Sequence, residues 1–205
     1  MAESEDLSVG EVPAIIARGG VIAFRTDTFY GLGADPFNGS ALRRICRMKG
    51  REEGKPILLL ISDAAQVYRF VPATSETFQR IEKAFWPGPL TIVTKARPEL
   101  PIELTAGSGT IGLRLPNESR VRDLVRKCGG ALTATSANPS DQRPATSAAE
   151  VEAYFGHAVD LVIDDGAVAV AQPSTVLDLS LEQPTVIRDG LITIEQVRKV
   201  LEGYT

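Results

Sequence analysis

The sequence predicts an α/β fold built on a twisted mixed sheet with flanking helices. Short β-branched runs alternate along the chain with stretches whose apolar residues recur at helical spacing. The last two predicted strands, at 175–179 and 185–188, are joined by too few residues for a helical crossover, so part of the sheet must be antiparallel. With 205 residues, 43% of them hydrophobic, the chain is expected to form one domain over residues 1–205.

The first half of the chain contains three predicted strands and two predicted helices. The strands are assigned to 20–26, 57–61 and 90–95, and the helices to 40–48 and 75–85. Each strand is a short run of β-branched and apolar residues, whereas each helix repeats apolar residues every three or four positions. Ser75 is a candidate N-cap of the second helix, and the sequence Trp-Pro-Gly-Pro that follows Phe85 ends it.

The second half of the chain continues the same alternation. Strands are predicted at 111–115, 131–135, 161–163, 175–179 and 185–188, and helices at 120–128, 147–154 and 194–201. Between them, the segment 138–145 is rich in Pro, Ser, Asp and Gln and shows no apolar period. We expect this segment to be a mobile loop.

The charge balance disfavours a protein that holds nucleic acid through a broadly basic surface. The chain has 22 Lys and Arg against 26 Asp and Glu, a formal net charge of -4, and 6% aromatic residues. Any RNA contact is therefore expected to be weak and local, or shared with a partner. The chain start lacks a signal-peptide pattern and no apolar run reaches membrane-spanning length, so we expect a cytoplasmic protein without membrane contact.

The cysteines and the single histidine give little support to nucleophilic or metal chemistry. Cys46 and Cys128 lie in predicted helical segments without metal-ligand spacing, and we expect two buried, reduced thiols. His157 falls in a predicted turn and is expected at the surface. Since no serine stands in a nucleophile elbow, a Ser/His/Asp hydrolase is disfavoured.

Two phosphate-binding motifs are approached but not completed. The segment 50–56 is one residue short of a P-loop and has Pro56 where a magnesium-binding hydroxyl is needed. The segment 31–36 has Pro36 where a dinucleotide fingerprint needs a third small residue. If the chain binds ATP, we therefore expect it to use side chains.

Three polar segments remain, each where a predicted element meets a loop. The first is 26–33, which offers two hydroxyls and a carboxylate after a strand. The second contains Lys49, before the candidate C-cap Gly50, where a cation often only complements the helix dipole. The third contains Ser136 and Asn138, which can equally cap local backbone in a turn. By spacing alone, both the ligand-binding and the structural interpretations stay open.

Eight segments, in order, resemble the YrdC-like threonylcarbamoyl-adenylate synthase family. They are TDTFYGLG at 26–33, KGR at 49–51, KPI at 55–57, FWPGPLT at 85–91, TIGLRLP at 110–116, TSAN at 135–138, STVLD at 174–178 and IRDG at 187–190. Each alone is a modest signal, but eight in register from about residue 19 to residue 190 identify the chain as similar to the short form of this family. The YciO-like branch lacks the Lys-x-Arg and Ser-x-Asn pairs, and this sequence has both.

The resemblance implies a YrdC/dihydroxybutanone-phosphate-synthase-like fold with a concave, positively charged face. It implies a nucleotidyltransferase, L-threonylcarbamoyladenylate synthase, which forms its product and pyrophosphate from L-threonine, bicarbonate and ATP for the threonylcarbamoyladenosine modification of tRNA. The implied metal is Mg²⁺ arriving with ATP, with no metal site formed by protein ligands. The implied partner is a transferase that passes the threonylcarbamoyl group to tRNA.

The resemblance also implies two sets of site residues. The nucleotide set is Lys49, Arg51, Lys55, Thr110, Ser136, Asn138 and Arg188, with Lys49 and Arg51 as the catalytic pair. The threonine set is Thr28, Arg114, Ala134 and Ser174. The loop at 138–145 is expected to act as a lid over ATP.

The sequence departs from the family pattern at three positions. Arg25 stands where proline usually precedes the Thr-Asp-Thr motif, Glu52 replaces a proline, and Leu60 stands where some longer members have a histidine. Two other interpretations of the same sequence are a non-catalytic RNA-binding module and a nucleotide-sensing regulatory domain of the same fold. An ATP/pyrophosphate exchange assay separates the regulatory domain from the enzyme.

Overall fold

The computed structural model describes residues 7–50, 56–168 and 172–203. The strands are β1 (Ile22–Arg25), β2 (Tyr30–Gly33), β3 (Leu59–Ile61), β4 (Leu90–Lys95), β5 (Thr110–Arg114), β6 (Ala131–Thr133), β7 (Thr135–Ser136), β8 (Leu161–Val162), β9 (Thr175–Asp178) and β10 (Thr185–Arg188). The helices are α1 (Leu7–Ala17), α2 (Gly39–Lys49), α3 (Glu76–Phe85), α4 (Ile102–Thr105), α5 (Ser119–Lys127), α6 (Ala148–Phe155) and α7 (Ile194–Glu202). Two 3₁₀ turns lie at Ala64–Arg69 and Gly156–Ala158.

The strands form two mixed sheets, and the predicted mixed α/β class is confirmed. The smaller sheet has the order β7-β2-β1-β8, and the larger has the order β10-β9-β4-β5-β3-β6. Parallel pairing joins β1 to β8, β3 to β5 and β4 to β9, while the other pairs are antiparallel. The short connection between β9 and β10 gives an antiparallel pair, as its length predicts.

The chain passes from the larger sheet to the smaller at Ala134, between β6 and β7. The Ala134 amide donates to the Leu58 carbonyl, 2.8 Å away. On the other side, the buried Thr133 hydroxyl accepts from the Ala34 amide at 2.8 Å and donates to the Leu32 carbonyl at 3.0 Å. This crossing holds the edges of the two sheets together, and the sequence-based assignment of a single strand over 131–135 was wrong.

The larger sheet buries one face and opens the other. Leu90 and Ile92 on β4, with Ile111 and Leu113 on β5, belong to the main apolar core against α3 and α7. Because side chains alternate along a strand, the residues between them face the opposite side. That side carries Arg114 and the other polar residues of the candidate site.

Helix caps explain where several helices begin and end. Ser75 caps α3 as predicted, since its hydroxyl accepts from the Phe78 amide at 3.1 Å. Asn38 caps α2, which ends at Gly50 in a left-handed conformation with a φ of 56°.

Among the described residues, no helix is long and apolar enough to span a bilayer.

The sequence analysis missed the short helix α4 and the first 3₁₀ turn, and it also missed two longer elements, α1 and β2. Helix α1 contains Pro13 and has little polar–apolar periodicity, but Val12 and Ile15 are buried against the inner part of the smaller sheet. Strand β2 lies in the glycine-containing stretch that had been interpreted as a turn, and it pairs with β1 from Tyr30 to Gly33. In both cases tertiary packing outweighs the local signal.

The cysteines and the histidine were predicted with mixed success. His157 is exposed in the second 3₁₀ turn, which confirms the prediction. Cys46 and Cys128 are free thiols as predicted, but each is only partly buried, so the prediction of two buried side chains was wrong. Cys46 lies within α2 and Cys128 follows the last residue of α5. Each packs against a core cluster from its edge.

Candidate functional site

A cavity of about 910 Å³ lies between the open face of the larger sheet and the crossing into the smaller sheet. Its walls bring together nine of the eleven residues implied by the resemblance: Thr28, Lys49, Thr110, Arg114, Ala134, Ser136, Asn138, Ser174 and Arg188. The other two, Arg51 and Lys55, lie outside the described residues. Residues more than 100 positions apart in sequence thus share one concave surface.

Arg114 is the most deeply buried charged residue of the cavity, with 2% of its surface exposed. Its Nε donates to the Gly88 carbonyl at 3.0 Å, its Nη1 to the Thr28 hydroxyl at 3.3 Å, and its Nη2 to the Asp27 carboxylate. Burial lowers the pKa of Arg114, and the adjacent Asp27 carboxylate opposes this shift. A guanidinium has five N–H donors, so these three bonds leave one donor on Nη1 and one on Nη2.

One remaining N–H on each terminal nitrogen, a pair called the Arg114 fork, is what a bidentate contact with a carboxylate requires. Asp27 restricts the orientation of the guanidinium, because its carboxylate forms an ion pair with Nη2. The Thr28 hydroxyl accepts the bond from Nη1. It also lies 3.2 Å from the Thr26 hydroxyl within a tight turn. The Thr-Asp-Thr segment is therefore a support for Arg114 as well as a part of the cavity wall.

Ser174 lies beside this fork and is fixed by Arg188. The Ser174 hydroxyl is 3.0 Å from Arg188 Nη2 and 3.1 Å from the Thr91 hydroxyl. Arg188 also donates to the Ser174 carbonyl from Nε at 3.1 Å and from Nη2 at 2.9 Å. Gly190 packs against the same peptide, since a Cβ at this position would come within 2.4 Å of the Pro173 carbonyl oxygen.

Lys49 projects from the end of α2 toward the loop after β7. Its Nζ donates to the Ser136 and Asn138 carbonyls, the latter at 2.7 Å, and lies 3.4 Å from Asn138 Oδ1. The residue is only 6% exposed, yet it lines the cavity. Lys49 therefore organises this loop in addition to placing a positive charge at the cavity wall.

Asn138 and Ser136 differ in how their side chains are used. The Asn138 side-chain amide donates to the Pro139 and Gln142 carbonyls, both at 2.8 Å, which is the local capping considered from the sequence. Within the described part of the chain, the Ser136 hydroxyl makes no hydrogen bond, and it faces the cavity. Thr110, at the far end of β5, shares a 2.8 Å contact with the Ser108 hydroxyl.

The loop at 138–145 is anchored at both ends by backbone hydrogen bonds. Ala145 is fully buried, and its backbone bonds to Ala137 and Tyr30 at 3.1 and 3.0 Å. The Ser140 amide donates to the Lys49 carbonyl at 2.7 Å. Only the tip, 141–143, is exposed, because the ends bond to α2, to β2 and to the residue after β7.

The departures from the family pattern fall at different distances from the cavity. Arg25 does not line it and instead pairs with Glu118 at 3.1 Å. Leu60 does line it and is almost fully buried, so this part of the wall is apolar. Glu52 lies outside the described residues.

Two residues that support the predicted site residues were not singled out from sequence. Asp27 was noted only as a carboxylate within the motif at 26–33, and Thr91 only as the last residue of the motif at 85–91. Their roles depend on partners 87 and 83 positions away, Arg114 and Ser174 respectively. Strand alternation could have placed Thr91 opposite the core residues Leu90 and Ile92, but it could not have named its partner.

The cavity lining is more cationic than anionic, and protein ligands for a metal are sparse. Lys49, Arg114 and Arg188 line it, against Asp141 and Asp178. In the stretches that the structure covers, no cluster of three or more His, Cys, Asp or Glu could hold a metal ion. The arrangement is suited to an anionic ligand, and to a cation that the ligand itself carries.

A family model that groups Sua5, YciO and YrdC, described as telomere recombination, matches residues 14–190. The chain belongs to the Sua5/YciO/YrdC family. Among its relatives, the threonylcarbamoyl-AMP synthase of Thiobacillus denitrificans is 41% identical over 180 residues, covering 87% of this chain and 95% of that protein. The threonylcarbamoyl-AMP synthase of Halorhodospira halophila is 36% identical, covering 89% of this chain and 90% of that protein.

Solved structures of the Sua5/YciO/YrdC family share the fold. P. abyssi Sua5 complexed with L-threonine matches with a TM-score of 0.91 and 31% identity. The match covers 96% of this chain but 58% of the P. abyssi chain, so this chain spans less than two thirds of that relative.

Proposed function

We propose that this chain is an L-threonylcarbamoyladenylate synthase, a nucleotidyltransferase of the cytoplasm. It joins L-threonine, bicarbonate and ATP into threonylcarbamoyl-AMP and pyrophosphate, for the threonylcarbamoyladenosine modification of tRNA. The observation that carries the proposal is the buried Arg114 fork, with two donors left for a ligand, inside a cavity that also contains the cationic and hydroxyl groups of the family motifs. Two relatives of nearly equal length, named threonylcarbamoyl-AMP synthases, support it.

The threonine subsite is proposed at the Arg114 end of the cavity. The two remaining N–H groups of Arg114 bind the amino acid carboxylate, because their spacing matches its two oxygens. The hydroxyls of Thr28 and Ser174 contact the polar groups of the substrate, and Ala134 contributes its backbone at the crossing between the sheets. The P. abyssi relative was solved with L-threonine, which supports an amino acid subsite in this fold.

The nucleotide subsite is proposed along the rest of the cavity. Lys49 neutralises phosphate charge, and Ser136 and Asn138 contact the nucleotide from the loop that Lys49 organises. Thr110 and Arg188 line the same cavity. Arg51 and Lys55 are proposed as further phosphate ligands, with Arg51 completing the catalytic pair.

The proposed chemistry uses positioning and charge neutralisation rather than a protein nucleophile. Threonine amine attacks the carbon of bicarbonate to give a carbamate, and one oxygen of bicarbonate leaves as water. The carbamate carboxylate then attacks the α-phosphorus of ATP as pyrophosphate leaves. The chain's own residues hold the two substrates in line and stabilise the added negative charge. Mg²⁺ bound to the triphosphate supplies charge screening, in keeping with the sparse protein carboxylates along the described cavity.

The decisive experiment follows the carbon of bicarbonate. Purified protein is incubated with ATP, L-threonine and labelled bicarbonate, and pyrophosphate and threonylcarbamoyl-AMP are measured separately. Pyrophosphate release should require threonine and bicarbonate together, and the label should appear in threonylcarbamoyl-AMP. Full-rate release in carbonate-free buffer would instead indicate an aminoacyl-adenylate ligase and would overturn the mechanism.

The same experiment tests the non-catalytic interpretations. A nucleotide-sensing domain or an RNA-binding module would bind its ligand without releasing pyrophosphate under any substrate combination. Because threonylcarbamoyl-AMP is a reactive mixed anhydride, the proposal also includes a transferase partner that consumes it on tRNA. Addition of that activity and unmodified tRNA should move the label into RNA.

A further inference from the structure

The Thr91 hydroxyl is buried in the cavity and has Ser174 as its hydrogen-bond partner. Thr91 is 2% exposed and Ser174 3% exposed, and both line the cavity. Their hydroxyl oxygens are 3.1 Å apart, although the residues belong to neighbouring elements 83 positions apart. Thr91 lies on β4 between the core residues Leu90 and Ile92, so strand alternation turns its side chain toward the cavity.

Arg188 determines how the hydrogens of this pair are used. A guanidinium only donates hydrogen bonds, so the Ser174 hydroxyl must accept the 3.0 Å bond from Arg188 Nη2. The two hydroxyls together have two hydrogens, and the bond between them uses one. The other hydrogen has no acceptor among the described residues, whichever hydroxyl carries it.

The unused hydrogen lies in a cavity where the neighbouring Arg114 fork also offers only donors. Thr91 and Arg114 lie on the adjacent antiparallel strands β4 and β5. Each is one residue beyond the pair Ile92 and Leu113, which stand opposite each other. A buried donor without an acceptor is unfavourable, so the pair favours a ligand oxygen at this point. The matching chemistry is an oxygen of an anionic amino acid substrate.

We propose that Thr91 is a further substrate-orienting residue, which together with Ser174 donates one hydrogen bond to an oxygen of threonine. This inference rests on the proposed function, because it assigns Thr91 to the threonine subsite. Arg188 acts through Ser174 as a positioning residue for the pair. Since either hydroxyl can supply the hydrogen, loss of both should cost more than the two single losses predict.

The test is a comparison of Thr91→Val, Ser174→Ala and the double variant. Valine keeps the shape of threonine and removes the hydroxyl. The matched control is Thr94→Val, on the same strand but facing the core, where Thr94 does not line the cavity. L-threonine binding is measured by calorimetry, binding of a non-hydrolysable ATP analogue is measured in parallel, and thermal unfolding checks each fold.

We expect Thr91→Val to weaken threonine binding by less than the roughly three- to tenfold of one hydrogen bond, because Ser174 can still donate, and to leave binding of the ATP analogue unaffected. Thr94→Val should leave both affinities unchanged, and the double variant should lose more than the product of the single effects. A double variant no weaker than Ser174→Ala would overturn the inference, as would an equal loss of threonine and ATP-analogue binding.

Two further outcomes separate this inference from the proposed function. If the wild type does not bind threonine, both fail. If the wild type binds threonine and the double variant binds it as well as Ser174→Ala does, the role of Thr91 alone is overturned. If Thr91→Val does not fold, Thr91→Ala and Thr91→Ser take its place. In the Ser174→Ala background, the serine variant should then restore most of the affinity that the alanine variant loses.

Discussion

Replacement of Arg114 by lysine tests the central contact of the proposed threonine subsite. Lysine keeps a positive charge near Asp27 but lacks the planar pair of donors that remain on Arg114 Nη1 and Nη2. Alanine is a poorer choice, because it would leave the Asp27 carboxylate without its partner and destabilise the fold by roughly 3 to 5 kcal/mol. The expected result is weaker threonine binding with a folded protein.

The size of the effect follows from the number of bonds lost. An ammonium in place of the fork can keep one bond to the substrate carboxylate and loses the other. A hydrogen bond to a charged group contributes about 1.5 to 3 kcal/mol, and about 1.4 kcal/mol corresponds to a factor of ten. The KM for threonine should therefore rise roughly 10- to 150-fold.

The assay measures pyrophosphate release at saturating bicarbonate, with threonine and ATP varied in turn. The KM for ATP should change much less, because the fork faces the amino acid. Arg126→Lys is the matched control, since Arg126 is exposed on α5 and does not line the cavity. Equal changes in both KM values, or an unchanged KM for threonine, would refute the assignment of Arg114 to the threonine carboxylate.

Three other perturbations test other parts of the site. Lys49→Ala should remove most pyrophosphate release and also lower stability by about 1 to 3 kcal/mol, because two loop carbonyls lose their donor; near-normal activity would contradict its role. Gly190→Ala should destabilise the fold by about 1 to 3 kcal/mol in thermal unfolding, since its Cβ would meet the Pro173 carbonyl oxygen at 2.4 Å. Gly10→Ala is the control, because a Cβ at this position enters open space and should not destabilise the fold in this way. Burial raises the pKa of Cys128 to about 11. Alkylation of Cys128 at pH 8, measured by mass spectrometry, should therefore be far slower than that of free cysteine and should accelerate as the pH rises toward 11. Fast alkylation at pH 8 would contradict this burial.

Local features of the sequence determined much of the secondary structure. Ser75 and Gly50 mark a helix start and a helix end because capping depends on a few neighbouring residues. The strands β4, β5 and β9 were located from short apolar runs, and the brief connection to β10 gave its antiparallel pairing. Local patterns did not reveal α1, whose Pro13 and weak periodicity hide a helix that packing stabilises.

The residues of the candidate site could be predicted from the sequence, whereas the contacts among them could not. Motifs in register indicated the family and the residues of the cavity, because motif order is a property of the sequence itself. Their spacing could not show that Lys49 holds the carbonyls of residues 136 and 138, or that Asp27 supports Arg114. These contacts join residues about 87 positions apart, and their distances depend on how the chain is folded.

The sequence by itself determined the class of fold, the order of its elements and the types of side chain available for chemistry. Only the tertiary structure decided that the strands separate into two sheets, that the chain crosses between them at Ala134, and that the cavity opens beside this crossing. It also decided that Thr91 and Ser174 share one hydrogen bond next to Arg188. The physical reason is that periodicity and capping act over a few residues, whereas hydrogen bonds and ion pairs across a sheet form only once the topology brings distant strands together.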